Sequence, residues 1–105
     1  MNKLEYVIDF IRQKNGKEFA KLKLKGMFPD YKFKADTIEG VFSLHDLKEL
    51  LQAEGFEKEE TLTLTITNRD TDKEQKSVID FSENWPQDLH EHPAQSRGGS
   101  IEIEV

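Results

Sequence analysis

Residues Lys3 to Gly26 read KLEYVIDFIRQKNGKEFAKLKLKG, and how this stretch folds on itself decides what the rest of the chain can be. Tyr6, Ile8 and Phe10 recur at every second position, as do Ala20, Leu22 and Leu24. That is the period of strands with one face in a core. Asn15-Gly16 between them is the strongest short hairpin signal, because both residue types tolerate positive φ. A two-residue turn would set Phe10 against Lys21 and Asp9 against Leu22, mixing core and solvent on both faces. A three-residue loop, Lys14-Asn15-Gly16, with Gly16 left-handed as a bulge, instead opposes Phe10 to Ala20, Ile8 to Leu22 and Tyr6 to Leu24. A one-residue slip turns a strand inside out, so the second register is the expected one.

That register fixes what Lys21, Lys23 and Lys25 face. They share the outer side with Glu5, Val7, Asp9 and Ile11, with Asp9 opposite Lys21 and Glu5 opposite Lys25. Exposed cross-strand pairs of this kind contribute only a few tenths of a kcal/mol, roughly, but they remove local positive potential.

The chain has 105 residues, a formal net charge of −6 and no cysteine. This length suits a single domain spanning 1–105. Without cysteine there is neither a disulfide framework nor a thiolate metal site, a usage that suits a reducing compartment. The N-terminal MNKLEYVIDF lacks the layout of a signal peptide, and no apolar run approaches the roughly 20 residues of a membrane-spanning helix. The expectation is a soluble cytoplasmic protein with no membrane partner. Residues 1–35 hold nine Lys/Arg against four Asp/Glu, a balance of +5, and residues 36–105 hold six against seventeen, a balance of −11.

Downstream, Pro29-Asp30 marks a turn and Tyr31 to Ala35 alternates as a short strand, with a second extended piece at Ile38 to Phe42. SLHDLKELLQAEGF reads as a helix: Ser43 at the N-cap, Asp46 in the capping-box position, Leu44, Leu47, Leu50 and Leu51 on one face, and Gly55 as the left-handed stop. TLTLTITNRDTDKEQKSVIDF reads as a second hairpin with Leu62, Leu64 and Ile66 inward and Thr61, Thr63, Thr65 and Thr67 outward. Residues 82–99 read as a long irregular loop carrying Trp85. SIEIEV closes the chain as a strand, the arrangement expected of a complete domain. The fold class is therefore α+β, one helix packed on a mainly antiparallel curved sheet of about five strands, either β-grasp-like or an OB-like roll. In a β-grasp the last strand runs beside the first and brings Glu102 and Glu104 near Glu5 and Asp9; in the alternative they meet the lysines.

Three constellations bear on chemistry. DLHEHP carries His90 and His92 beside Asp88 and Glu91, but a metal needs three or four placed ligands and the remaining histidine, His45, lies in the expected helix. No metal or cofactor is assigned. Serines, histidines and carboxylates occur in no triad or dyad spacing, and Gly98-Gly99 precedes a strand rather than a helix, so no catalytic residue is assigned. Lys14, Lys17, Lys21, Lys23, Lys25, Lys32 and Lys34, interleaved with Phe28, Tyr31 and Phe33, have the composition of a single-stranded nucleic-acid binder. The acidic net charge and the cross-strand carboxylates oppose that reading.

The function expected from the sequence is a small, acidic, non-catalytic protein-interaction domain, binding or inhibitory, whose partner is another protein. Its surface is expected at Val7, Ile11, Phe19, Lys21, Lys23, Lys25 and Trp85, because apolar residues gathered on one outer sheet face mark a partner site. The alternatives are nucleic-acid binding through the N-terminal half, and an acidic inhibitor that mimics nucleic acid. Replacing Gly16 by Val should destabilise the domain by about 1 kcal/mol or more, because a β-branched residue resists positive φ. An unchanged thermal midpoint would contradict the bulged loop.

Overall fold

The computed structural model describes residues 2–25, 28–36, 41–45 and 51–105. In chain order its elements are β1 (Asn2–Arg12), β2 (Glu18–Lys25), β3 (Tyr31–Asp36), β4 (Val41–His45), β5 (Leu51–Phe56), β6 (Thr61–Asn68), β7 (Glu74–Asp80), the helical turn α1 (Phe81–Asn84) and β8 (Ala94–Ile103). The first hairpin has the register that its apolar alternation requires: Tyr6 opposes Leu24, Ile8 opposes Leu22 and Phe10 opposes Ala20. Its three-residue loop is closed by the Gln13 N–H donating to the Lys17 carbonyl at 2.8 Å and the Gly16 N–H donating to the Gln13 carbonyl at 2.9 Å. Gly16 has φ +82°, the left-handed conformation that a Cβ disfavours. Asn15 completes the loop by accepting the Lys17 N–H on Oδ1 at 3.0 Å.

The described strands form two four-stranded sheets, ordered β5-β2-β1-β8 and β4-β3-β6-β7, mostly antiparallel sheet with one short helix. Their apolar faces meet in one buried cluster: Leu4, Ile8, Phe10, Ala20, Leu22 and Leu24 from the first sheet against Phe33, Leu62, Leu64 and Ile66 from the second. Each large side chain buried this way contributes about 1.5–3 kcal/mol of transfer free energy. No helix among the described residues is long and apolar enough to cross a membrane.

The helix expected over Ser43 to Gly55 is not what the described residues form. Ser43 and Leu44 lie in β4, and Leu51 and Gly55 lie in β5; Asp46, Leu47 and Leu50 lie outside the described residues. Non-local pairing overrides the leucine spacing here. In register, Phe42 and Leu44 oppose Ala35 and Phe33, while Leu51 and Ala53 oppose Leu24 and Leu22, so apolar positions meet apolar positions across both ladders. Gly55 does adopt the left-handed conformation, φ +93°, but as the extra residue of a bulge where the β2–β5 register shifts between Ala20 and Lys21. The single helix on one curved sheet is thus replaced by two facing sheets.

Residues 82–99 are also more regular than expected. Asp80 caps α1 by accepting the Ser82 N–H at 2.9 Å and the Ser82 hydroxyl at 2.6 Å, and β8 already begins at Ala94, leaving only residues 85–93 irregular. β8 lies beside β1 and antiparallel to it. Glu102 therefore opposes Lys3, while Glu5 and Asp9 oppose Ser100 and Ser96, so these acidic residues do not face one another directly across the ladder.

Tyr6 opposes Gly99 across β1 and β8, and its ring lies over that glycine: a Cβ built on Gly99 would clash with the hydroxyl end of the ring. The glycine is there because the tyrosine occupies its side-chain position. Gly99→Ala should cost on the order of 1 kcal/mol, and most of that penalty should vanish in a Tyr6→Ala background. A urea double-mutant cycle reads this coupling, and purely additive effects would contradict the contact.

Candidate interaction surface

The outer face of the first sheet is built by the same alternation that fills the core. On β1 it carries Lys3, Glu5, Val7, Asp9 and Ile11; on β2, Phe19, Lys21, Lys23 and Lys25; on β8, Ala94, Ser96, Gly98, Ser100 and Glu102. Val7 is 36% exposed, and Ile11 and Phe19 are half-buried. Three apolar side chains thus stand on this solvent-facing layer.

The lysines are matched, though not all as the register alone implies. Asp9 lies opposite Lys21, yet its carboxylate accepts a charge-assisted hydrogen bond from Lys23 Nζ at 2.8 Å, one step along the diagonal. The Ser96 hydroxyl donates to the same carboxylate at 2.7 Å. These two partners, Lys23 first, hold the Asp9 carboxyl below its ordinary 3.8. Lys25 is exposed and sits opposite Glu5.

Trp85 belongs to the core rather than to the surface. It is 8% exposed, meets Phe10 edge-on with ring centroids 5.1 Å apart, and donates its indole N–H to Glu18 Oε2 at 3.1 Å. With Leu89, also buried, it pins the 85–93 segment. An indole whose polar tip reaches a half-exposed carboxylate satisfies burial and hydrogen bonding together, so the aromatic expected at a partner surface is an anchor of the connection.

The lysine and aromatic residues of the N-terminal half do not form one stripe. Phe33 is in the core, and Phe28 packs against it at 5.8 Å. Lys32 and Lys34 alternate with buried Phe33 and Ala35 and so occupy the outer face of the second sheet, on the opposite side of the sandwich from Lys21, Lys23 and Lys25. On that second face Thr65 is buried, between Lys34 and Lys76 in register.

Asp9, Asp80 and Asp88 are held below the ordinary carboxyl value: Asp80 by the Ser82 hydroxyl and N–H, Asp88 chiefly by the Gln95 amide, which donates to Oδ1 at 2.6 Å. A carboxylate held low is a poor base near neutrality. His90 and His92 are exposed on the 85–93 segment, where the His90 carbonyl accepts from Arg12 Nη1 at 3.3 Å. No group of three His, Asp or Glu placed to hold a metal occurs among the described residues, and the side chain of His45 is not among them.

Two shallow depressions open along the β1–β8 seam of the outer face. One, of about 370 Å³, is lined by Glu5, Tyr6, Val7, Lys25, Gly98, Gly99 and Ser100; the other, of about 400 Å³, by Asp9, Phe10, Ile11, Ala94, Gln95 and Ser96. Both exist because β8 presents only small side chains there. No known family model, curated protein or solved structure matches this chain.

The Asp9 pair makes a pH-dependent prediction. A carboxyl whose folded-state pKa lies below its unfolded value contributes stability above the unfolded value, and that contribution is lost as pH falls through the folded one. At pH 7 Asp9→Asn should cost a few tenths to about 1 kcal/mol, and the difference from the parent should close on acidification from roughly pH 5 downward. Chemical denaturation at several pH values reads it; a gap that is constant with pH would contradict the pairing.

Proposed function

We propose that this chain is a small, acidic, non-catalytic cytoplasmic domain that binds another protein through the outer face of the β5-β2-β1-β8 sheet. The observation that carries the reading is the placement of Val7, Ile11 and Phe19, exposed or half-exposed, on a face whose charges are matched in register. A face of this composition suits a protein partner: apolar side chains supply the area removed from water, and surrounding charges of both signs supply specificity. The shallow depressions on this face support a binding role. The division of the lysines between opposite faces, and the Lys23–Asp9 pair, weigh against the nucleic-acid reading, which would need a continuous positive track. The acidic-mimic reading has only the net charge of −6 in its favour.

Capture from extract of the native cell, comparing the parent with a Val7→Asp, Phe19→Asp double variant of unchanged thermal midpoint, tests the proposal. A protein recovered by the parent and lost by the variant is expected. Recovery of the same proteins by both, or of nucleic acid as the main species, would contradict it.

A further inference from the structure

Beside the outer face, the first sheet ends in a strand edge whose polar groups can be assigned from the bonds around it. The Pro93 carbonyl accepts from the Arg12 N–H at 2.8 Å, so the odd-numbered residues of this segment turn their backbone groups toward β1. The Glu102 carbonyl and the Glu104 N–H turn the other way, where they bond to Gln75 Nε2 at 2.7 Å and Gln75 Oε1 at 2.8 Å. Because a strand points successive residues to alternate sides, Ala94, Ser96, Gly98 and Ser100 direct their N–H and C=O groups away from β1. Among the described residues no strand lies on that side.

Such an edge is a template for pairing, and proteins normally blunt it with proline, charge or a bulge. This one is only lightly guarded. The β1–β8 register is unbroken from Asn2 opposite Ile103 to Ile11 opposite Ala94, and between Ala94 and Ser100 the only charged residue is Arg97 and there is no proline. Gln75 covers only the far end.

We propose, building on the interaction-domain reading, that the free edge of β8 is a strand-addition site. Its occupant is an extended, net basic segment of another protein with bulky apolar side chains four residues apart. The spacing follows from the two depressions, one centred near Ala94 and Ser96 and the other near Gly98 and Ser100. They lie four β8 residues apart, roughly 13 Å, the distance between i and i+4 on one face of a strand. Side chains of an added strand at those positions would lean over the small residues of β8 toward Ile11 and Val7. A second copy of this chain fits poorly. Its β8 would bring only Ala, Ser and Gly to that face, leaving both depressions unfilled, and would bring together two chains of charge −6. The same charge, with Glu102 and Glu104 exposed at one end of the edge, favours a basic segment.

The probe is a phage-displayed library of nine-residue peptides, selected on the full chain. Enrichment of net basic sequences with bulky apolar residues at i and i+4 is expected. An enriched peptide should slow amide exchange at Ser96, Gly98 and Ser100 but not at Arg97 or Gly99, and its affinity should fall roughly tenfold in Gly98→Pro or Ser100→Pro, each of which removes one edge donor and no β1–β8 bond. No enrichment, enrichment without the spacing, or unchanged exchange at those three amides would overturn the proposal. So would concentration-dependent slowing of the same amides without peptide, which would assign the edge to a second copy. A captured cellular partner that survives Gly98→Pro but is lost with Val7→Asp, Phe19→Asp would leave the interaction-domain reading standing and remove strand addition alone.

Discussion

The pairing of β1 with a neighbour on each side governs this molecule. β1 alternates Leu4, Tyr6, Ile8 and Phe10 with Glu5, Val7, Asp9 and Ile11, and its neighbours must match that phase. Toward β2 the match is apolar against apolar inside and carboxylate against lysine outside. Toward β8 the inner pairs are Leu4 with Ile101, Tyr6 with Gly99, Ile8 with Arg97 and Phe10 with Gln95, and outside Glu5 and Asp9 oppose serines. A slip of one residue at either ladder would bury Asp9 or expose Phe10, so the core and the outer face are specified by the same choice.

The surface follows from that phase. Val7 and Ile11 are outside because Ile8 and Phe10 are inside, and Lys23 finds Asp9 because the diagonal of the ladder brings it there. The small outer residues of β8 leave depressions beside Val7 and Ile11 rather than covering them. Trp85 serves the opposite end of this logic: its contact with Phe10 and its bond to Glu18 attach the connection from the second sheet to the inner side of the first hairpin.

The parts of the fold legible in the sequence are those in which local chemistry and tertiary pairing agree. Asn15-Gly16 demanded a positive φ and the flanking alternation demanded one register, and both are present; the β6–β7 hairpin is equally local. SLHDLKELLQAEGF shows the opposite case. Leu44 and Leu51 satisfy a helical stripe and a strand ladder alike, and only the presence of Phe33 and Leu24 as cross-strand neighbours, which no local pattern reveals, decides for strand. Gly55 was legible as a left-handed residue but not as a bulge, since the same backbone freedom serves both. The outward placement of Val7, Ile11 and Phe19 was legible because it depends on the first hairpin alone. Trp85 could not be placed, because its burial depends on the path of a connection between two sheets. The edge of β8 was hidden for a related reason: Gly98, Gly99 and the serines around them read as loop residues until β1 supplies their partner.

Hα–Hα nuclear Overhauser effects across β1 and β2 test this register most directly. The Gln13–Lys17 bond places the hydrogen-bonded pairs at odd positions of β1, so the close, non-hydrogen-bonded pairs, with Cα atoms about 4.5 Å apart, are Tyr6 with Leu24, Ile8 with Leu22 and Phe10 with Ala20. Strong effects within those three pairs are the result that the sandwich predicts. Strong effects from Ile8 to Lys21 or Lys23 would mean a shifted strand, with the core and the proposed interaction face exchanged.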